Sequence, residues 1–455
     1  MKQSIEKIYH KVGIKSDRTK NITKHILVSF IYKGGSILAS FLLVPITMNY
    51  LDTKSYGLWL ILSSFISWFY FFDIGLGNGL QNMFAEAKAK DDMTLARGYV
   101  STAYFTIAAI STLLLIVFLG ANFFIDWSKI FNSSAKLASD LNYLMPVLFG
   151  LFCVQLVVKL ITTIYTADQN HSMQGKINFY TQAISLLAIW LLTFTEKNSL
   201  LVFGIVFSTL PVLILLGMNF FAFGSTYKQF LPSILLWKKE YLKDIFGLGF
   251  KFFLIQMAMM ILYSTDNFII AQLYGTEAVV PYNIVYKYFS ASNMVLTMII
   301  VPYWSSITEA FVKEDFVWLR KSLKSLIKIA MVSMVLLIAM LLISPWIYKI
   351  WIGDNKVSIP FFLSLYTSLY FAINIFCNPF NVILNGTAKI KLQLYSFLVA
   401  GILNIPLSIF LAKNMNFGVS GVIIATTICL IPFAIMAPIQ VYKIINKKAE
   451  GIWNK

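Results

Sequence analysis

Charged side chains are scarce in this chain of 455 residues: Asp, Glu, Lys and Arg make up 13% of it, while hydrophobic residues make up 58%. Soluble domains carry about a quarter charged residues, so water could not solvate this much apolar surface. Soluble globular classes are therefore excluded, and the mean hydropathy of +0.74 agrees. What remains is a polytopic membrane protein, whose apolar stretches of about 20 residues read as spanning helices. Cysteine and histidine are nearly lacking. Cys153, Cys377 and Cys429 stand far apart in apolar segments, and His10, His25 and His171 are scattered. With no CxxC, CxH or HxxxH spacing, a metal centre or disulfide framework has no basis. No GxxxxGK[ST] loop occurs, so P-loop ATP hydrolysis is excluded, and the charged loops are too short for a catalytic domain. The first 24 residues lack the apolar core of a signal peptide, so the first spanning helix is expected to act as the insertion signal.

Apolar runs, divided at turn residues and charges, predict twelve spans. They fall near 25–50, 57–82, 98–122, 141–166, 176–195 and 200–223, then 244–272, 279–304, 325–349, 358–385, 392–412 and 417–442. Twelve spans place both termini on one side. That side collects 26 of the 37 Lys and Arg residues, so by the positive-inside rule both termini are cytoplasmic. Membrane topology thus accounts for most of the net charge of +17, and a nucleic-acid partner is not called for. In the tail 1–24, Ile5, Ile8, Tyr9 and Val12 form a stripe among Lys2, Lys7, Lys11 and Lys15. That pattern fits either a short helix on the anionic leaflet or a partly ordered tail.

The chain also repeats itself. An offset of 223 residues aligns "FAEAKAKDDMTLAR" with "ITEAFVKEDFVWLR", matching Glu86 to Glu309, Ala87 to Ala310, Asp92 to Asp315 and Arg97 to Arg320. Lys20 aligns with Lys243 at the same offset. This divides the chain into a six-helix bundle at 25–223, a basic cytoplasmic linker at 224–243, a second six-helix bundle at 244–442 and a cytoplasmic tail at 443–455. Six being even, the halves share one orientation, which makes a parallel repeat with substrate expected near the midplane.

Several polar residues lie where lipid disfavours them. Lys33, Lys159, Lys251, Lys287, Asp73 and Asp266 fall inside spans, each costing roughly 2.5–3.5 kcal/mol at a helix centre. Lys33, Lys159, Lys251 and Asp73 come out at about 10–15 Å from the cytoplasmic face at 1.5 Å per residue. Three lysines and one carboxylate at one depth read as an anion site, with snorkelling of each lysine as the alternative. Asp73 and Asp266 suit ion coupling or pairing with lysines, Asp73 with Lys33 or Lys159 and Asp266 with Lys287. Asn374, Asn378, Asn381 and Asn385 share one helix face, able to bond either sugar hydroxyls or neighbouring helices. Pro379 within that stripe predicts a kink. Gln155, Gln256, Asn267, Asn283 and Asn404 are further polar positions in spans. In "FFDIGLGNGLQN", Gly75, Gly77 and Gly79 fail the dinucleotide fingerprint because Leu80 holds its last glycine position. They read instead as a flexible or closely packed end of the second span.

Three segments, "YGLWLILSSFISWFYFFDIGLGNGL" (56–80), "TDNFIIAQLYGTEAVVPYNIVYK" (265–287) and "ILNGTAKIKLQL" (383–394), resemble bacterial polysaccharide repeat-unit flippases of the O-antigen type. These belong to the multidrug/oligosaccharidyl-lipid/polysaccharide (MOP) exporter superfamily, and the likeness covers roughly residues 20–445. The resemblance implies an all-α, MATE-like, V-shaped transporter of two six-helix bundles in the bacterial inner membrane. It would work by alternating access, moving an undecaprenyl-pyrophosphate-linked oligosaccharide from the cytoplasmic to the external leaflet. It implies no enzyme activity and no cofactor, coupling to H+ or Na+, a monomer, and a polysaccharide polymerase and glycosyltransferases as partners. The family's basic cavity maps onto Lys33, Lys159, Lys251 and Lys287, which do not coincide under the repeat offset. The competing readings are a multidrug cation antiporter, for which four lysines against two aspartates is the wrong polarity, and a lipid II-type flippase, which usually has further helices.

Overall fold

A backbone surrounded by lipid must satisfy its own N–H and C=O groups, and a helix does so within one segment. The computed structural model describes the backbone of residues 17–69, 75–133, 135–168, 170–195, 198–246, 265–300, 310–311, 313–353, 356–387 and 389–454, with the single positions 257, 303 and 307. Lys251 and Asp73 lie outside the described residues. Among those described, every regular element is helical. Those of eight residues or more are, in the first half, α1 (Asp17–Tyr50), α2 (Thr53–Trp68), α3 (Leu76–Ala89), α4 (Met93–Asn122), α5 (Ala135–Val158), α6 (Leu160–Ala167), α7 (His171–Leu192) and α8 (Leu200–Gly224). Then come α9 (Asp266–Tyr274), α10 (Val279–Ile300), α11 (Phe316–Ile352), α12 (Phe361–Gly386), α13 (Lys391–Ile409) and α14 (Ser420–Ile445).

Eight stretches among the described residues are long and apolar enough to cross a membrane, including Met93–Asn122, Ser139–Ala167 and Phe316–Ile352. Their outer faces agree: Leu113, Ile116 and Val117 on α4 and Val332, Val335, Ile338 and Leu342 on α11 are all exposed. On helices long and apolar enough to span a bilayer, apolar stripes of that extent are lipid-facing surfaces. This is a multi-pass membrane protein.

The second span differs from its expected form. In place of one helix over 57–82 there are two, α2 and α3, with Gly75 at the start of α3 holding φ at +74°. A side chain would strain that left-handed backbone. Gly79 meets a different demand, since a Cβ there would stand 2.1 Å from the Ile245 carbonyl oxygen. Flexibility is thus the wrong description for Gly79, which is a packing residue. Proline does not interrupt α12, which runs from Phe361 to Gly386 through a buried Pro379.

The repeat loops share one backbone device. Asp92 and Asp315 each cap the helix that follows, accepting from Leu95 N–H and Trp318 N–H, both at 2.9 Å. The residues before them, Asp91 and Glu314, have φ of 59° and 55°. Asp92 N–H donates to Ala87 O at 3.0 Å and Asp315 N–H to Ala310 O at 2.8 Å. Glu309, matched to Glu86 by the sequence, lies outside the described residues.

Two compact units form. One contains Met1–Tyr50, Phe72–Ile125 and Asn142–Phe252, and the other Leu51–Phe71, Asp126–Leu141 and Phe253–Lys455. The units therefore do not follow chain order, since α2 groups with the second half. In the first unit α1 lies along α7, with Tyr32 edge-on to Phe179 at 5.5 Å. In the second, α12 packs among α10, α11 and α14.

Candidate functional site

A polar interior forms in the second unit where α2, α9 and α10 meet. Asp266 opens α9, where the positive end of the helix dipole favours a carboxylate. Its neighbour Asn267 donates through Nδ2 to Ser64 Oγ of α2 at 2.8 Å. Asn283 of α10 donates to Asn267 Oδ1 at 2.7 Å and to its own helix at Val279 O at 2.9 Å. The Tyr282 hydroxyl donates to Asp266 Oδ2, while Asp266 Oδ1 is buried and accepts no hydrogen bond. Ser64, Ser67, Asp266, Asn267, Tyr282, Asn283 and Tyr286 line a cavity of about 110 Å³.

Size decides what this cavity can hold. A water needs about 10–15 Å³ of such space, and sites for drug-sized ligands run from about 300 to 1,000 Å³. The cavity admits a few waters, a proton or a small cation bound by oxygens, and excludes a sugar chain. Among the described residues, no cluster of His, Cys, Asp and Glu is suited to hold a metal ion.

The polar seam continues between α10 and α12. The hydroxyls of Tyr286 and Tyr370 stand 3.5 Å apart, and Tyr286 packs against Phe371 with ring centres 5.1 Å apart. Two helical turns on, Asn378 donates to Asn293 Oδ1 at 2.8 Å. Asn374 donates back to Tyr370 O at 3.0 Å, and Asn381 Oδ1 is buried without a hydrogen-bond partner. Asn385 is half-buried. Of the two uses open to the asparagine stripe, Asn378 takes the helix-joining one.

The expected Asp266–Lys287 pair does not form, and Asp266 is bonded to Tyr282 instead. Five residues along a helix is about 140° of rotation beyond a full turn, so Tyr282 and Lys287 leave α10 in different directions. Lys287 itself is half-buried. Lys33 is exposed on α1, and Lys159 is exposed at the joint between α5 and α6, where its N–H still bonds Gln155 O at 3.0 Å. Lys33 and Lys159 thus share the first unit while Lys287 belongs to the second. Sequence reasoning missed Tyr282, Tyr286, Asn293, Ser64 and Ser67. The recurrence of Asn283, Tyr286, Ser290, Asn293 and Thr297 at helical spacing was the available signal.

Comparison with known proteins agrees with this architecture. A structure of a multidrug resistance MATE family transporter of the MOP superfamily, in an inward-facing conformation, superposes with a TM-score of 0.75 at 14% identity, over 93% of this chain and 100% of that one. The chain has the fold of the MOP-superfamily transporters. A protein of Yersinia pseudotuberculosis named for O-antigen export is 22% identical over 381 residues, covering 81% of this chain and 85% of that protein. A protein of Salmonella typhi named as an O-antigen transporter is 21% identical over 391 residues, 82% of this chain and 86% of that protein. No protein-family model matches the chain. The all-α fold expected from the sequence is the one found, and on both counts the proteins the chain is similar to are named as transporters.

Proposed function

We propose that this MOP-fold protein is a flippase that carries a polyprenyl-pyrophosphate-linked oligosaccharide from the cytoplasmic to the external leaflet of a bacterial inner membrane, with both termini cytoplasmic. The observation that carries the reading is the likeness to two O-antigen export proteins across more than four-fifths of the chain. The intramembrane lysines support it chemically, because a pyrophosphate needs cations where lipid otherwise forbids them. Lys33 and Lys159, both exposed, and Lys251 would take the pyrophosphate, with Lys287 nearer the far leaflet. The amides of α12 that helix packing leaves over, Asn381 and Asn385, would meet sugar hydroxyls. The protein would work as a monomer alongside glycosyltransferases and a polymerase.

Transport is coupled to H+ or Na+ through Asp266. Its unbonded, buried oxygen in a water-sized cavity supports this assignment. Loading the carboxylate with a proton or sodium ion would remove an uncompensated buried charge, the kind of change that shifts a conformational equilibrium. The fold alone also accommodates a multidrug antiporter or a lipid II-type flippase. Complementation separates the three: deletion of the gene should abolish surface polysaccharide and leave drug resistance and peptidoglycan synthesis unchanged. Normal surface polysaccharide in the deletion strain would refute the proposal.

A further inference from the structure

The segment after α8 runs in an unusual place. Arg97 Nε donates to Leu231 O at 3.0 Å, Ser233 N–H to Ser101 Oγ at 3.1 Å, and Trp237 Nε1 to Thr106 Oγ1 at 3.0 Å. The chain then turns back. Lys238 N–H donates to Thr102 Oγ1 at 3.3 Å, Tyr241 packs edge-on to Tyr99 at 5.2 Å, and the Tyr99 hydroxyl donates to Asp244 Oδ2 at 3.2 Å. Residues 231–244 therefore form a hairpin climbing α4 from Arg97 to Thr106, about 13 Å at 1.5 Å per residue, and returning. Because α4 is a candidate membrane span, the hairpin's apex lies level with the spanning part of the helix.

Irregular backbone at that depth needs protein partners, and they are present. Ser101 and Thr102, hydroxyl-bearing positions of α4, accept from the hairpin's N–H groups. The single turn Ile234–Leu236 closes with Leu236 N–H to Ser233 O at 3.0 Å and Trp237 N–H to Ile234 O at 3.1 Å. The side facing away from α4 is apolar and uncovered: Ile234 is 61% and Leu235 89% exposed. Below the tip Lys228, Lys238, Lys239 and Lys243 are exposed, with Glu240 among them and Asp244 bonded to Tyr99.

We propose that this hairpin is a lipid-binding element: Ile234 and Leu235 enter the acyl layer, and Lys238, Lys239 and Lys243 rest on acidic phospholipid headgroups of the same leaflet. Depth and charge both point to lipid. The apolar tip is held level with a spanning helix, where a soluble partner does not reach, and the cations follow it toward the headgroup layer. Trp237 anchors the tip to α4 at Thr106. This assignment is independent of what the protein transports.

The test is site-directed nitroxide labelling of the full chain in nanodiscs of phosphatidylethanolamine and phosphatidylglycerol. The three native cysteines are buried, so Ile234→Cys, Leu235→Cys, Ile116→Cys on the lipid face of α4 and Lys90→Cys in the exposed loop can each be labelled. Labels at 234 and 235 should resemble that at 116, accessible to oxygen and several-fold less accessible to a neutral aqueous nickel chelate than the label at 90. Accessibility at 234 and 235 matching that at 90 would overturn the insertion. In phosphatidylcholine alone, a label at Lys239→Cys should become several-fold more accessible to the chelate. An unchanged value would overturn the acidic-headgroup assignment, and protection of 239 only when an acidic soluble protein is added would mark that face as a protein-docking site instead.

Discussion

The Tyr282 hydroxyl donates to one oxygen of Asp266, and the other oxygen of that carboxylate is buried without a hydrogen bond. A carboxylate so placed costs stability unless something loads it. Asp266→Asn removes the charge and keeps the shape. The variant should melt no lower than the parent and should lose the dependence of transport on H+ or Na+. A lower melting temperature with intact ion dependence would make Asp266 a structural residue.

The glycines of the second span should respond differently from lipid-facing ones. Gly79→Ala drives a methyl into the Ile245 carbonyl and should destabilise by about 1–3 kcal/mol, as overpacking does. Gly217→Ala meets nothing within 4 Å and should be neutral or stabilising by about 0.5–1 kcal/mol, as removal of a mid-helix glycine is. Thermal unfolding in detergent reads both.

If Asp92 and Asp315 are equivalent caps, their removal should cost alike. Asp92→Ala and Asp315→Ala are each expected to destabilise by about 0.5–2 kcal/mol. Additive losses in the double variant would agree with two separate units, each with its own cap.

On the first unit, Lys88 of α3 pairs with Asp168 at the end of α6, and the Tyr227 hydroxyl donates to the same carboxylate at 2.9 Å. Asp168→Ala should destabilise by about 1–3 kcal/mol, because it strands two donors. Burial, joined by the Asp168 carboxylate, pushes the Tyr227 phenol well above its ordinary value. The folded state therefore holds this proton more tightly than the unfolded chain does. The resulting stability is complete below about pH 10, the ordinary tyrosine value, and falls as pH rises further. Tyr227→Phe should flatten that alkaline decline, as followed by unfolding against pH.

Local signals in the sequence were legible, and pairings were not. Hydropathy and length marked the spans because membrane insertion reads the same local quantities, and the repeat match of Asp92 to Asp315 marked two loops that share one local backbone device. The glycine run announced an irregular span two without telling that Gly75 takes a left-handed backbone while Gly79 packs. The asparagines of α12 declared a polar face, but the partner of Asn378 is Asn293, 85 positions away. Asp266 was visible as a costly residue, yet its partner could not be chosen from sequence. Tyr282 and Lys287 are equally plausible by spacing, and only the rotation of α10 separates them.

The central claim is tested most directly by flipping in proteoliposomes loaded with a polyprenyl-pyrophosphate-linked oligosaccharide. Wild-type protein should deliver the oligosaccharide to the opposite leaflet, where an added glycosidase can cut it. The triple variant Lys33→Gln, Lys159→Gln and Lys251→Gln, folded by its melting curve, should lose most of that activity. Flipping by the triple variant at the wild-type rate would contradict the account.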